Sequence, residues 1–128
     1  MTPKVSIILA NYNEEKYIAE AIESVINQTY TNWELIIIDD ASTDRSQDII
    51  NSYKDSRIKT RFCKKNNHVA YASNLGIDMA IGEYIAKIDS DDVWEAEKLE
   101  KLRAAHVLVV GLGGVGAYAA EMIVRAGV

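Results

Sequence analysis

The residues of this chain best suited to chemistry are acids, and they come in clusters. Asp39-Asp40-Ala41-Ser42 follows the apolar run Trp33–Ile38, and Asp89-Ser90-Asp91-Asp92 follows Glu83–Ile88. A third polar group, Asn11-Tyr12-Asn13-Glu14, follows Val5–Leu9. Carboxylates crowded together are costly unless a cation or a hydrogen-bond donor compensates them. Hard oxygen ligands of this kind suit Mg2+ or Mn2+, and such an ion commonly bridges carboxylates to a diphosphate and stabilises it as a leaving group. Each cluster also has an ordinary use. Asn13, Asp44 and Asp92 all stand where a helix could begin, and Asn and Asp are favoured caps. Caps account for one acid per helix. They do not account for Asp39 beside Asp40, or for three acids within Asp89–Asp92.

The elements that would carry these clusters alternate between strand and helix. Val5–Leu9 and Trp33–Ile38 read as strands buried on both faces. Asn13-Glu14-Glu15 opens a helix with an apolar face at Ile18, Ile22, Val25 and Ile26. A second helix runs from Asp44 to about Tyr53, started by Ser42-Thr43-Asp44, and Arg57–Phe62 alternates as an edge strand does. A third helix covers 69–81, Glu83–Ile88 is a strand, and Asp92-Val93-Trp94-Glu95 resembles a capping box opening a helix to Leu102. His106–Val110 reads as a fifth strand and 115–126 as a last helix. This order predicts a Rossmann-like α/β/α sandwich around a mostly parallel sheet of about five strands. Ligands of such a sheet bind at the carboxyl ends of its strands, where all three polar clusters fall.

Composition narrows the classes. The chain has 128 residues, 48% hydrophobic and 26% charged, as a single globular domain does. A net charge of −5 argues against a nucleic-acid partner. A lone Cys63 excludes an internal disulfide, and His68 and His106 lie too far apart in sequence to suggest a histidine metal site. No apolar run is long enough to span a bilayer, and the first residues lack the pattern of a signal peptide. The expected compartment is the cytoplasm, and the oligomeric state is open.

Specific stretches carry a resemblance. These are Val5-Ser6-Ile7-Ile8-Leu9-Ala10-Asn11-Tyr12-Asn13, Ile22–Tyr30, Trp33–Asp44, Asn74-Leu75-Gly76-Ile77 and Gly82–Asp92. With them residues 3–102 resemble the N-terminal half of family 2 glycosyltransferases, which have the GT-A fold and transfer a sugar from a nucleoside-diphosphate donor to an acceptor hydroxyl. The resemblance implies that Ala10 and Tyr12 border a nucleobase, usually uracil, with Glu14 near the same pocket. It implies that Asp40 accepts a hydrogen bond from the base and that Asp91 approaches the ribose. Asp92, with Asp89 or Asp91, would hold Mn2+ or Mg2+ on the diphosphate. Two positions depart from the family: Asn66-Asn67-His68 stands where it often has Asn-x-Gly, and Ser73 where it often has Arg. The family places its catalytic base and acceptor site in a later half. The expectation is therefore weak, metal-dependent binding of a UDP-type nucleotide sugar with little or no transfer.

The last segment differs in kind. Five of the seven glycines fall within residues 103–128, and the net charge changes from −6 over 1–102 to +1 there. His106–Val110 runs into Gly111-Leu112-Gly113-Gly114-Val115-Gly116, a phosphate-cradling pattern of strand, glycine loop and helix. The wording resembles the first such unit of ThiF- and MoeB-like adenylating proteins, the superfamily that includes ubiquitin-activating enzymes and tRNA threonylcarbamoyladenosine dehydratases. The chain thus looks like a chimera, natural or engineered, with 103–128 completing the single domain begun by 1–102. Two further readings stay open: a folded chimera with no ligand, and an adenine-nucleotide binder through Gly111, Gly113, Gly114 and Gly116.

Overall fold

A computed structural model describes residues 3–105 and 122–124. It has strands β1 (Val5–Asn11), β2 (Trp33–Asp39), β3 (Ile58–Phe62), β4 (Tyr84–Asp89) and β5 (Met122–Val124), with helices α1 (Ile18–Ile26), α2 (Ser46–Asn51), α3 (His68–Met79) and α4 (Lys98–Ala105) between them. The sheet order is β3-β2-β1-β4-β5. The first four strands are parallel, and β5 lies antiparallel on β4. This is the α/β sandwich expected, with the middles of β1 and β2 apolar on both faces because helices cover both, and polar residues near their ends.

Alternation along the strands sorts the core into two. Ile7, Leu9, Leu35, Ile37 and Ile88 pack on one face with Ile18, Ile22 and Val25 of α1, Ile50 of α2 and Leu99 of α4. Ile8, Ile36 and Ile38 pack on the other with Ala72 of α3 and with Ala80. Gly76 lets α3 lie close on β1, since a Cβ there would fall 2.5 Å from Ile8 Cγ2.

Several boundaries differ from the sequence expectation, for identifiable reasons. Asn13 does not cap α1, which begins at Ile18 after a turn closed by the Glu14 carbonyl. Asp92 does not cap α4. The segment 92–97 is irregular, and the N–H of Leu99 is met by Gln28 Oε1 at 3.0 Å, a cap supplied from the end of α1. Residues 122–124, expected within a helix, are strand β5 beside β4. The expected strand His106–Val110 and the loop Gly111–Gly116 lie outside the described residues.

At the amino end of the sheet Glu34 is buried, 2% exposed. Its carboxylate accepts hydrogen bonds from Ser6 Oγ at 2.5 Å, Lys59 Nζ at 2.6 Å and the Ile81 N–H at 2.8 Å, while Ser6 Oγ accepts the Gly82 N–H at 2.8 Å. Burial alone would push the Glu34 carboxyl up; the Ile81, Lys59 and Ser6 donors outweigh it and hold it below its ordinary range. A depressed carboxyl stabilises the fold above its unfolded pKa and loses that contribution as pH falls through the folded value. Glu34→Gln should therefore lower stability at neutral pH and flatten the loss of stability below about pH 4.5, read by urea unfolding across an acid series. Gly82 has no space for a side chain, because a Cβ would fall 2.6 Å from Ser6 Oγ and 2.8 Å from the Ser6 backbone nitrogen. Gly82→Ala should cost about 1–3 kcal/mol in the same assay.

Candidate functional site

Register brings the three polar clusters to one rim. Asn11 lies opposite Asp39, and Ala10 lies opposite both Ile38 and Asp89. The carboxyl ends of β1, β2 and β4 are thus level, and the loops that follow them meet.

Asp39 and Asp40 are adjacent in sequence but do different work. Asp39 is completely buried. Its carboxylate accepts hydrogen bonds from Asn11 Nδ2 (2.8 Å), Ser42 Oγ (2.6 Å), the Ser42 N–H (2.9 Å) and Gln47 Nε2 (2.9 Å). Those bonds tie β1, the loop after β2 and α2 together. Asp40, 2% exposed, belongs to the α3 side of the sheet. Its own N–H donates to the Asn11 carbonyl at 2.9 Å, and its carboxylate accepts the Asn67 N–H at 3.0 and 3.2 Å.

The loops after β1 and β2 are laced to each other. Asn13 Oδ1 accepts the N–H groups of Thr43 (2.8 Å) and Asp44 (3.2 Å), and the Asn13 N–H donates to Ser42 Oγ at 2.9 Å. Asp44 accepts the Glu15 N–H at 3.0 Å and the Ser46 N–H at 2.9 Å, the second at the start of α2. Burial would raise the Asp44 carboxyl, but these donors bring it below its ordinary value. Among the described residues, the non-glycine positions with positive φ all sit on this rim: Asn13 at 52°, Ala41 at 67° and His68 at 74°. Such conformations cost roughly 1–3 kcal/mol each and concentrate at functional sites.

A cleft of about 400 Å³ opens between the end of β1 and the start of α3. Ala10, Tyr12 and Asp40 form one side and Asn66, His68 and Val69 the other, with Tyr12 45% exposed. The family resemblance singled out Ala10, Tyr12 and Asp40, and marked Asn66-Asn67-His68 as a departure; that this segment closes over Asp40 is not signalled by anything local in its residues. Glu14 is not among the lining residues. It is half-buried, and its carbonyl closes the turn into α1 by accepting the Tyr17 and Ile18 N–H groups.

The remaining acids gather one strand away. Asp89, Asp91 and Asp92 are exposed, and each offers a carboxylate oxygen within 4.8 Å of the others. That is a suitable donor set for a hard divalent cation. The Asp92 carboxyl is held above its ordinary range, by burial first and then by the charges of Asp89 and Asp91, against the opposing pull of Lys98. The turn is secured by the Asp92 N–H on the Asp89 carbonyl at 3.0 Å. Gln28 holds the stretch beyond it, with Nε2 donating to the Glu95 carbonyl at 2.6 Å. Gln28 is a further residue that sequence reasoning gave no role.

Residues 6–107 match the model of the family described as glycosyl transferase family 2. The chain belongs to that family. It is 43% identical over 101 residues to the putative teichuronic acid biosynthesis glycosyltransferase TuaG of Bacillus subtilis, covering 77% of this chain and 40% of that protein. Its fold is similar to S. aureus TarS 1–349 in complex with UDP-GlcNAc, with a TM-score of 0.75 and 28% identity over 88% of this chain and 36% of that one. It is also similar to the mannosyltransferase PcManGT of Pyrobaculum calidifontis in complex with GDP-Man and Mn2+, with a TM-score of 0.67 and 26% identity over 73% of this chain and 29% of the other. The chain spans about two-fifths of the length of the curated relatives it matches first. Among the described residues no helix is long and apolar enough to cross a membrane.

The two kinds of acid should separate on mutation. Asp39→Ala strands four hydrogen bonds in the interior and should cost about 3 kcal/mol. Asp92→Asn should leave neutral-pH stability unchanged or slightly higher, because a carboxyl raised in the fold destabilises when charged. Urea midpoints of both variants beside the unaltered chain check this.

Proposed function

We propose that this chain binds a nucleoside-diphosphate sugar of the UDP type together with a divalent cation, as the donor-binding part of a glycosyltransferase. The observation that carries this reading is the placement of two complementary sites side by side. One is a cleft with Tyr12, Ala10 and a buried Asp40; the other is the convergent carboxylate group Asp89, Asp91 and Asp92. Tyr12 offers an exposed ring on which a base stacks. Asp40 retains acceptor capacity beside the Asn67 N–H and takes an N–H of the base, and Ala10 leaves room for it. Asp91 lies toward the ribose, and Glu14 supports the pocket from behind, through the turn into α1.

Asp89, Asp91 and Asp92 would hold Mn2+ or Mg2+, which neutralises the charge that builds on the diphosphate as the sugar leaves. Bringing a cation there also relieves the repulsion that raises Asp92. Attack by an acceptor hydroxyl further calls for a general base, whose contribution is about 10²–10⁴-fold. We assign that base to none of the described residues, so the reading for these 128 residues is binding, with transfer slow at most. The separate resemblance of 106–128 to adenylating proteins has no part in it.

Calorimetric titration with UDP, with and without Mn2+, tests the proposal. The expected result is weak binding that strengthens with Mn2+ and exceeds that of GDP. Asp92→Ala should abolish the effect of the metal, and Asp40→Ala should weaken UDP about tenfold or more, the scale of a hydrogen bond to a charged group. No heat at millimolar UDP in the presence of Mn2+ would overturn it.

A further inference from the structure

His68 stands in the cleft on a backbone that few side chains adopt. Its φ is 74°, in the left-handed region that favours glycine, yet it carries an imidazole. The residue is exposed, so burial of the ring does not repay that conformation. It lines the same cleft as Tyr12 and Asp40. The Asp40 carboxylate accepts the Asn67 N–H at 3.0 Å. His68 is the next residue, and its Cα lies about 3.8 Å from that of Asn67. The imidazole thus starts one peptide unit from the group that Asp40 holds, within a side chain's length of a second group on the same carboxylate.

Sheet order tells which end of a nucleotide this is. The strands run β3, β2, β1, β4 across the sheet, so the loops after them follow one another along the rim in that order. Asp89, Asp91 and Asp92 stand at the β4 end, Tyr12 follows β1, Asp40 follows β2, and Asn66 to His68 come after β3. A nucleotide laid along this row has its diphosphate and ribose at the β4 end. The edge of its base farthest from the ribose then faces the β3 end, where His68 stands. In a uracil held by Asp40 through N3–H, that edge carries the O4 carbonyl, next to N3 and away from the glycosidic nitrogen. O4 calls for a donor. The backbone N–H groups of Asn67 and His68 are already taken, the first by Asp40 and the second by Asn66 Oδ1 at 3.0 Å. An imidazole N–H donates in either charge state. We infer that His68 is a specificity-determining residue that donates a hydrogen bond to the O4 carbonyl of a bound uracil, beside the N3–H taken by Asp40. The inference rests on the nucleotide reading above and deepens it, by naming a residue that reads the base.

Calorimetric titration with UDP and with 4-thio-UDP, both in the presence of Mn2+, tests this. In 4-thio-UDP sulfur, a weak acceptor, replaces O4 alone. The unaltered chain should bind UDP about threefold to tenfold more tightly than 4-thio-UDP, the scale of one hydrogen bond. His68→Gly should fold, because glycine adopts this φ freely. It should bind UDP more weakly by the same factor and 4-thio-UDP as the unaltered chain does, so that the preference disappears. Uridine against 4-thiouridine should show the same pattern, because the phosphates take no part. His68→Gln, which keeps an N–H donor, should restore part of the preference. Equal affinity of the unaltered chain for UDP and 4-thio-UDP would overturn the inference, as would a preference that survives in His68→Gly. A preference erased by Asn66→Ser and kept in His68→Gly would make Asn66 the donor and overturn it equally. Failure of the unaltered chain to bind either nucleotide would instead remove the nucleotide reading on which the inference stands.

Discussion

Asp39 keeps a carboxylate wholly out of water, and four hydrogen bonds from Asn11, Ser42 and Gln47 are what make that tolerable. A buried ion without partners would cost far more than any one contact at the rim returns. The donors must therefore stay where they are, and they belong to three separate pieces of chain: the end of β1, the loop after β2 and the first turns of α2. Fixing them fixes the loops. Asn13 and Ala41 are held in left-handed backbone because Ser42 and Thr43 cannot move away from their partners. The exposed ring of Tyr12 stands on that frame.

The neighbouring Asp40 shows how one pleated strand divides labour. Successive side chains point to opposite faces, so of two consecutive aspartates one enters the α1–α2 side and is consumed by scaffolding. The other faces α3, where the start of that helix closes over it through the Asn67 N–H. A one-residue shift of β2 would exchange the two roles and leave the rim without either. The parallel register with β1 prevents such a shift, because Leu35, Ile36, Ile37 and Ile38 are all buried between helices.

On the other side of β1 the acids are left free by a cap that comes from elsewhere. Gln28 reaches the Glu95 carbonyl and the Leu99 N–H, and so starts α4 without drawing on Asp92. Asp89, Asp91 and Asp92 remain exposed, close together and mutually repelling. This is an arrangement that stability alone would not select. It sits one strand from the cleft because β4 pairs directly with β1, with Asp89 opposite Ala10.

Much of this was legible in the residues. The apolar runs Val5–Leu9 and Trp33–Ile38, the helical spacing of Ile18, Ile22 and Val25, and acids at strand ends specify a parallel sheet with a polar rim, because side-chain periodicity is local. The clusters themselves could be picked out by position, whereas Ala10 and the separate roles of Tyr12, Asp40 and Asp91 were implied only by the family resemblance. What local pattern does not encode is competition between distant partners. Asn13 and Asp92 looked like helix caps, and Ser42–Asp44 and Gln28 took those bonds or made them unnecessary from far along the chain. Residues 122–124 read as helix, and pairing with β4 made them strand, since an open sheet edge satisfies backbone groups that sequence propensity does not weigh. The division between a structural Asp39 and an available Asp40, and the left-handed His68 that faces it, were decided only when the sheet, its loops and α3 came together.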